Sequence, residues 1–156
     1  MQKITTYLWF DGQALEAAEF YTSLFKNSKI VDVSRYGEGA PRPAGTVLTV
    51  TFELDGQRFI ALNGGPDFTF TEAISLFIDC EDQNEVDYFW DKLVDGGEPS
   101  QCGWLKDRYG LSWQVIPKRL VEVLSDPDPD KAQRAMQAML TMSKIDVPAL
   151  ERAYQG

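Results

Sequence analysis

Apolar and polar positions alternate, or recur at helical spacing, in short stretches along this chain. Residues 4–10 (ITTYLWF) are β-branched and aromatic and stop at the turn dipeptide Asp11-Gly12, which predicts a buried strand. From residue 13 to 25 the apolar positions Ala14, Ala17, Ala18, Tyr21, Leu24 and Phe25 follow three- and four-residue spacing, the stripe of an amphipathic helix that Asn27 closes. Residues 29–36 (KIVDVSRY) alternate again. Residues 37–45 (GEGAPRPAG) are too rich in glycine and proline for regular structure and predict a long loop. Residues 46–54 and 57–62 flank Asp55-Gly56, a strong hairpin signal, so the first part of the chain reads β-α-β-β-β.

The same order then restarts. Asn63-Gly64-Gly65-Pro66 interrupts the pattern, and residues 74–79 (ISLFID) open a second strand about 70 residues after the first. Val86, Phe89, Trp90 and Leu93 predict a helix over 81–94 that Gly96-Gly97 ends. Trp104-Leu105 and residues 111–116 (LSWQVI) surround the turn Asp107-Arg108-Tyr109-Gly110. Two modules, about 1–65 and 72–117, are the economical reading, resting on element order rather than matched letters. A helical extension follows over 118–156. It comprises a short helix around Leu120–Leu124, a second started by Asp128 as N-cap with Pro129 in its first turn, and a third over 146–154. Ala132, Ala135, Met136, Met139 and Leu140 form the stripe of the second of these, and methionines at that spacing are read as core filling.

Composition narrows the chemistry. There are 24 acidic residues against 15 basic ones, a net charge of −9. No basic run is available to neutralise phosphates, so nucleic acid and membrane are not expected as partners. Histidine is absent, which removes His-based triads, His general bases and every His-containing metal set. The two cysteines, Cys80 and Cys102, are too few for a disulfide framework, and MQKITTY carries no apolar signal segment, so reduced thiols in a cytoplasm are expected. Cys102 has no histidine to activate it.

The densest cluster of unusual residues is 101–114. A functional reading lines a ligand cavity with Trp104, Trp113 and Gln114, whereas Asp107 and Gly110 are read as turn residues. Adjacent strand residues face opposite ways, so Trp113 and Gln114 cannot share a cavity. By the same rule Thr5, Tyr7 and Trp9 share one face of the first strand and Thr6, Leu8 and Phe10 the other.

The segments TTYLWFDGQALEAAEFYTSLF, ALNGGPDFTFTEAISLFIDCEDQNEVDYFWDKLVDGG and CGWLKDRYGLSWQVIPKRL, together with the tail DPDPDKAQRAMQAMLTMSKIDVPALERAY, resemble the PhnB-like branch of the vicinal oxygen chelate superfamily of glyoxalase, bleomycin-resistance and dioxygenase proteins. That branch is often labelled 3-demethylubiquinone-9 3-methyltransferase-like. The resemblance implies an α+β fold in which two βαβββ modules (residues 1–117) form a curled mixed sheet around a cavity, completed by a homodimer. It also places the superfamily's metal-ligand positions at Thr6, Asn63, Ser75 and Gln114. These are neutral hydroxyls and amides, whereas a divalent metal calls for a carboxylate, thiolate or imidazole, so no metal and no cofactor are expected. A methyltransferase on a doubly wound sheet would need a glycine-rich strand–helix turn, which is not found. The expectation is therefore a binder of a small organic ligand, using Thr6, Asn63, Ser75, Gln114, Tyr7, Trp9 and Trp104, with catalysis undetermined. The alternatives are a glyoxalase-, dioxygenase- or methyltransferase-like enzyme, and an interaction protein that uses its helical tail.

Overall fold

The computed structural model describes residues 2–156 and divides into two compact units, Met1–Thr69 and Phe70–Gly156. The first contains β1 (Thr6–Phe10), α1 (Ala14–Leu24), β2 (Lys29–Arg35), β3 (Val47–Leu54) and β4 (Gln57–Asn63). The second contains β5 (Ser75–Cys80), α2 (Gln83–Val94), β6 (Glu98–Pro99), β7 (Trp104–Lys106), β8 (Ser112–Pro117), α3 (Lys118–Leu124), α4 (Pro129–Met139) and α5 (Val147–Gln155). Both sheets have four strands in equivalent order, β1-β4-β3-β2 and β5-β8-β7-β6. In each, the first strand pairs parallel with the last and the remaining pairs are antiparallel. The α+β class and the repeated βαβββ order are those read from the sequence.

Period-2 alternation assigns the faces of the first sheet. Thr6, Phe59, Phe52 and Ile30 are register partners, as are Leu8, Ala61, Val50 and Val33. Most of these are buried together with Ala14, Ala17, Ala18, Tyr21 and Leu24 of α1. The opposite face carries two further rows, Tyr7-Ile60-Thr51-Asp32 and Trp9-Leu62-Thr49-Ser34. At the β3–β4 turn Asp55 and Gly56 have φ of +49° and +82°, the double left-handed conformation of a type I′ hairpin.

In the second unit, Leu76, Trp113, Leu105 and Pro99 lie in one row, and buried Ile78 and Val115 extend that face under α2 and its buried Val86, Phe89, Trp90 and Leu93. The sequence pattern missed β6. Its two residues offer no alternation to read, and it pairs with β7 because Gly97 permits contact: a Cβ there would stand 2.0 Å from the Lys106 carbonyl oxygen.

The helical extension packs with the second module. Ile116 joins Leu120, Val123, Ala135, Ile145 and Leu150 in one core cluster, with Leu124, Met139, Met142 and Tyr154 against it. Asp128 and Asp146 cap α4 and α5 by accepting from Asp130 N–H and Ala149 N–H, both at 3.0 Å. The predicted α4 stripe is narrower than expected: Ala135 is buried, but Met136 and Leu140 are exposed because the helix turns its Ala135–Met139 edge to the core. Gln83 ties α2 to this tail, donating to Ile145 O (3.0 Å) and accepting from Val147 N–H (2.6 Å). Among the described residues no helix is long and apolar enough to cross a membrane.

Asp107 organises the β7–β8 turn. It is 3% exposed, and its carboxylate accepts from Tyr109 N–H (2.8 Å), Leu111 N–H (3.1 Å) and the Trp113 indole N–H (2.8 Å). Charge-assisted bonds of this kind outweigh neutral ones. Asp107→Asn is expected to destabilise the protein by about 3 kcal/mol, since an amide turns a donor toward groups that themselves donate. Urea unfolding followed by tryptophan fluorescence checks this.

Candidate functional site

In the second unit, Phe77 on β5, Gln114 on β8 and Trp104 on β7 are direct register partners and therefore project from one face. Phe77 is 53% exposed, and Gln114 and Trp104 are half-buried. In the next row on the same face stand Ser75, Ser112 and Lys106. The Gln114 amide donates to Ser75 Oγ at 2.9 Å, so two of the sequence candidates meet directly. The Ser112 hydroxyl is buried and finds no hydrogen-bond partner among the described residues. Lys106 pairs with Glu72 at 2.8 Å, which raises the ammonium's pKa and lowers the carboxyl's through the hydrogen bond between them. The result is an aromatic row bordered by a neutral amide–hydroxyl pair and a compensated charge.

The sequence candidates of the first unit fall in different places. Tyr7 (58% exposed) and Trp9 lie on the helix-free face. Thr6 stands on the other face, in the row of Phe59 and Phe52, so the structure separates it from Tyr7 and Trp9. Trp9 is held against the turn that follows β4. A Cβ on Gly64 would meet its ring at 2.4 Å, its indole N–H donates to Gly65 O (2.9 Å), and Phe68 meets it edge-on at 4.9 Å.

Asn63 is a scaffold residue. Helix α1 has no side-chain cap of its own, because Gln13 makes no capping bond. Instead Asn63 Oδ1, reaching from β4, accepts from Ala14 N–H at 2.9 Å, and its Nδ2 donates to Val47 O at 3.1 Å. Helix N-termini leave amide donors that must be satisfied, and here a strand does so. Both ends of the Asn63 amide are engaged within the fold.

Phe77 is a residue that the sequence reading did not offer for the site. The signal that could have placed it was alternation within ISLFID, where it shares a face with the candidate Ser75. Trp113, weighed with Gln114 for a cavity, is 2% exposed on the opposite side, as alternation requires. The Cys80 thiol is buried, which with nearby Glu85 and Asp79 pushes its pKa up to about 12 and keeps it protonated. Among the described residues no three Cys, Asp or Glu side chains converge on a possible metal position. The donors at the second-unit site are an amide and hydroxyls, which do not fit the superfamily's divalent metal.

Two βαβββ modules of equivalent strand order, each with its crossover helix on one sheet face, define a protein of the vicinal oxygen chelate fold. The chain belongs to the family described as 3-demethylubiquinone-9 3-methyltransferase, whose model matches residues 2–116, in the superfamily's PhnB-like branch. A PhnB protein from Bacillus cereus is 44% identical over 74% of this chain and 99% of its own, with a TM-score of 0.69. Two further structures show the fold alone. One is a protein from Pseudomonas aeruginosa (19% identity, 75% of this chain and 98% of its own, TM-score 0.62). The other is the fosfomycin resistance protein FosX from Listeria monocytogenes (14% identity, 80% and 98%, TM-score 0.53). A search of the curated proteins finds no match.

The contrast between the two candidate amides is testable. Asn63→Ala is expected to cost about 2–4 kcal/mol, because a buried N–H and a carbonyl lose their partners. Gln114→Ala is expected to cost about 1 kcal/mol or less, since it removes one half-buried bond. Chemical denaturation of both variants beside wild type measures the difference.

Proposed function

We propose that this protein binds a small organic molecule on the aromatic row of its second sheet, with Phe77 and Trp104 contacting the ligand's apolar body and Gln114 with Ser75 its polar group. The observation that carries the reading is the large aromatic surface of Phe77 left exposed beside a polar pair on the sheet face opposite α2. Apolar walls with a few convergent polar groups are the usual composition of ligand sites. Tyr7 and Trp9 supply a comparable aromatic strip on the first sheet. The reading requires no metal, and no catalytic step is assigned. Methyl transfer, which the family's description names, finds no support in the sheet topology, as neither sheet is a doubly wound parallel one with a glycine-rich nucleotide turn.

Ligand-detected NMR with a mixture of substituted phenols, benzoates and indoles tests this. Wild type is expected to bind at least one class saturably, and Gln114→Ala and Phe77→Ala each to weaken it roughly tenfold while remaining folded. Binding that neither substitution changes would remove this face from consideration. A bound probe at about 100 times its dissociation constant should also add about 2.7 kcal/mol of stability.

We further propose that two copies associate. Exposed Tyr7, Val31, Phe77 and Ile74 lie on or beside strands at the edges of their sheets, and such edges and apolar surfaces call for cover. Light scattering is expected to give twice the 17.6 kDa of one chain. A concentration-independent monomer mass would defeat the dimer.

A further inference from the structure

The first unit holds a feature independent of the aromatic rows. An open cleft of about 480 Å³ lies where the end of β4, the turn before α1 and the loop between β2 and β3 meet. That volume is within the range of about 300–1,000 Å³ usual for small-molecule sites. Two guanidinium-bearing residues line it, Arg35 and Arg42, with Asp11, Gly12, Thr46 and Asn63.

In a chain with 24 acidic residues, several partly buried cations have a carboxylate in contact. Lys106, Lys118, Arg119 and Lys144 all do. Neither arginine of the cleft has one among the described residues. Arg35 is exposed, and its Nη1 donates to Gly45 O at 3.0 Å. Half-buried Arg42 lies over bare backbone: a Cβ on Gly65 would be 2.1 Å from its Nη2, and Gly65, with φ of +105°, holds a conformation that favours glycine. The fold thus leaves room for the Arg42 guanidinium without neutralising it.

The surrounding polar groups are already committed. Asn63 bonds Ala14 and Val47, and the Thr46 hydroxyl donates to Pro43 O at 2.7 Å. The loop that carries Arg42 is fastened at its base, where Tyr36 N–H donates to Thr46 O and Gly45 N–H to Tyr36 O, both at 2.8 Å. The Tyr36 hydroxyl also donates to Asn63 O at 2.7 Å. Arg42 is therefore presented on an anchored hairpin, and positioning a donor beforehand lowers the cost of binding.

We infer that this cleft is an oxyanion site, in which Arg35 and Arg42 bind the carboxylate or phosphoryl group of a small organic molecule. Guanidinium forks suit both groups, which accept paired N–H bonds. Asp11 also lines the cleft and adds one opposing charge, which leaves the lining net positive.

Titration calorimetry of the full chain at low salt, with inorganic phosphate and with benzoate as separate probes, tests the site. NMR of the arginine side-chain N–H groups follows the same titrations. At least one probe is expected to bind saturably and shift the Arg42 signal. Phosphate alone assigns a phosphoryl ligand, benzoate alone a carboxylate, and both the shared oxyanion chemistry. Arg42→Gln and Arg35→Gln should each weaken binding roughly tenfold. Arg42→Lys, which keeps the charge but not the fork, should fall between. Asp11→Asn should tighten binding roughly threefold, a gain that loosening of the loop would not produce. Failure of both probes to bind at millimolar concentration overturns the inference. So does binding that the arginine substitutions leave unchanged, or that Asp11→Asn leaves unchanged or weakens.

Discussion

Parallel pairing of the first strand with the last is the constraint on which each module rests. β1 lies beside β4 and β5 beside β8, so the chain must cross back over the sheet, and it does so through one amphipathic helix on one face. That helix buries Ala17, Ala18 and Tyr21 in the first module and Val86, Phe89 and Leu93 in the second. Every alternate strand residue then turns away from the helix. Tyr7, Trp9, Phe77, Trp104 and Gln114 are where they are because their neighbours Leu8, Phe10, Ile78, Leu105 and Trp113 are needed in the core.

Several polar residues that resemble site chemistry are spent on holding this arrangement. Asn63 closes the open end of α1 from a distant strand, Asp107 gathers three donors at the β7–β8 turn, and Gln83 joins α2 to the start of α5. Each makes bonds that backbone groups cannot make among themselves at a helix end or a tight turn. The second helix shows the ordinary alternative: Asp82 caps it locally by accepting from Glu85 N–H at 3.0 Å. The same structural need is thus met by a neighbour in one module and by a residue about fifty positions away in the other.

Much of the fold was legible in the chain. The Asp55-Gly56 hairpin, the two helical stripes, the restart at ISLFID and the Asp128-Pro129 cap are local signals, and each appears where it was read. The site was less legible. Ser75, Gln114 and Trp104 share a face, but Phe77 was not singled out because an aromatic residue in a strand has no intrinsic direction until the strand's register is known. Thr6 went to the helix side for the same reason. The Met136–Leu140 edge of α4 was read as buried because spacing defines a stripe's width only loosely. β6 escaped because two residues carry no period.

The sequence by itself determined the order of elements, the duplication, the net charge and the absence of imidazole chemistry, since these depend on composition and on contacts within a few residues. Tertiary structure decided which face of each strand is buried, that Asn63 caps a helix, that the tail packs on Ile116, and that Arg35 and Arg42 reach one cleft. These are long-range outcomes. They follow from strand register and loop closure, which join residues far apart in sequence, and no local pattern encodes which distant partner a side chain will meet.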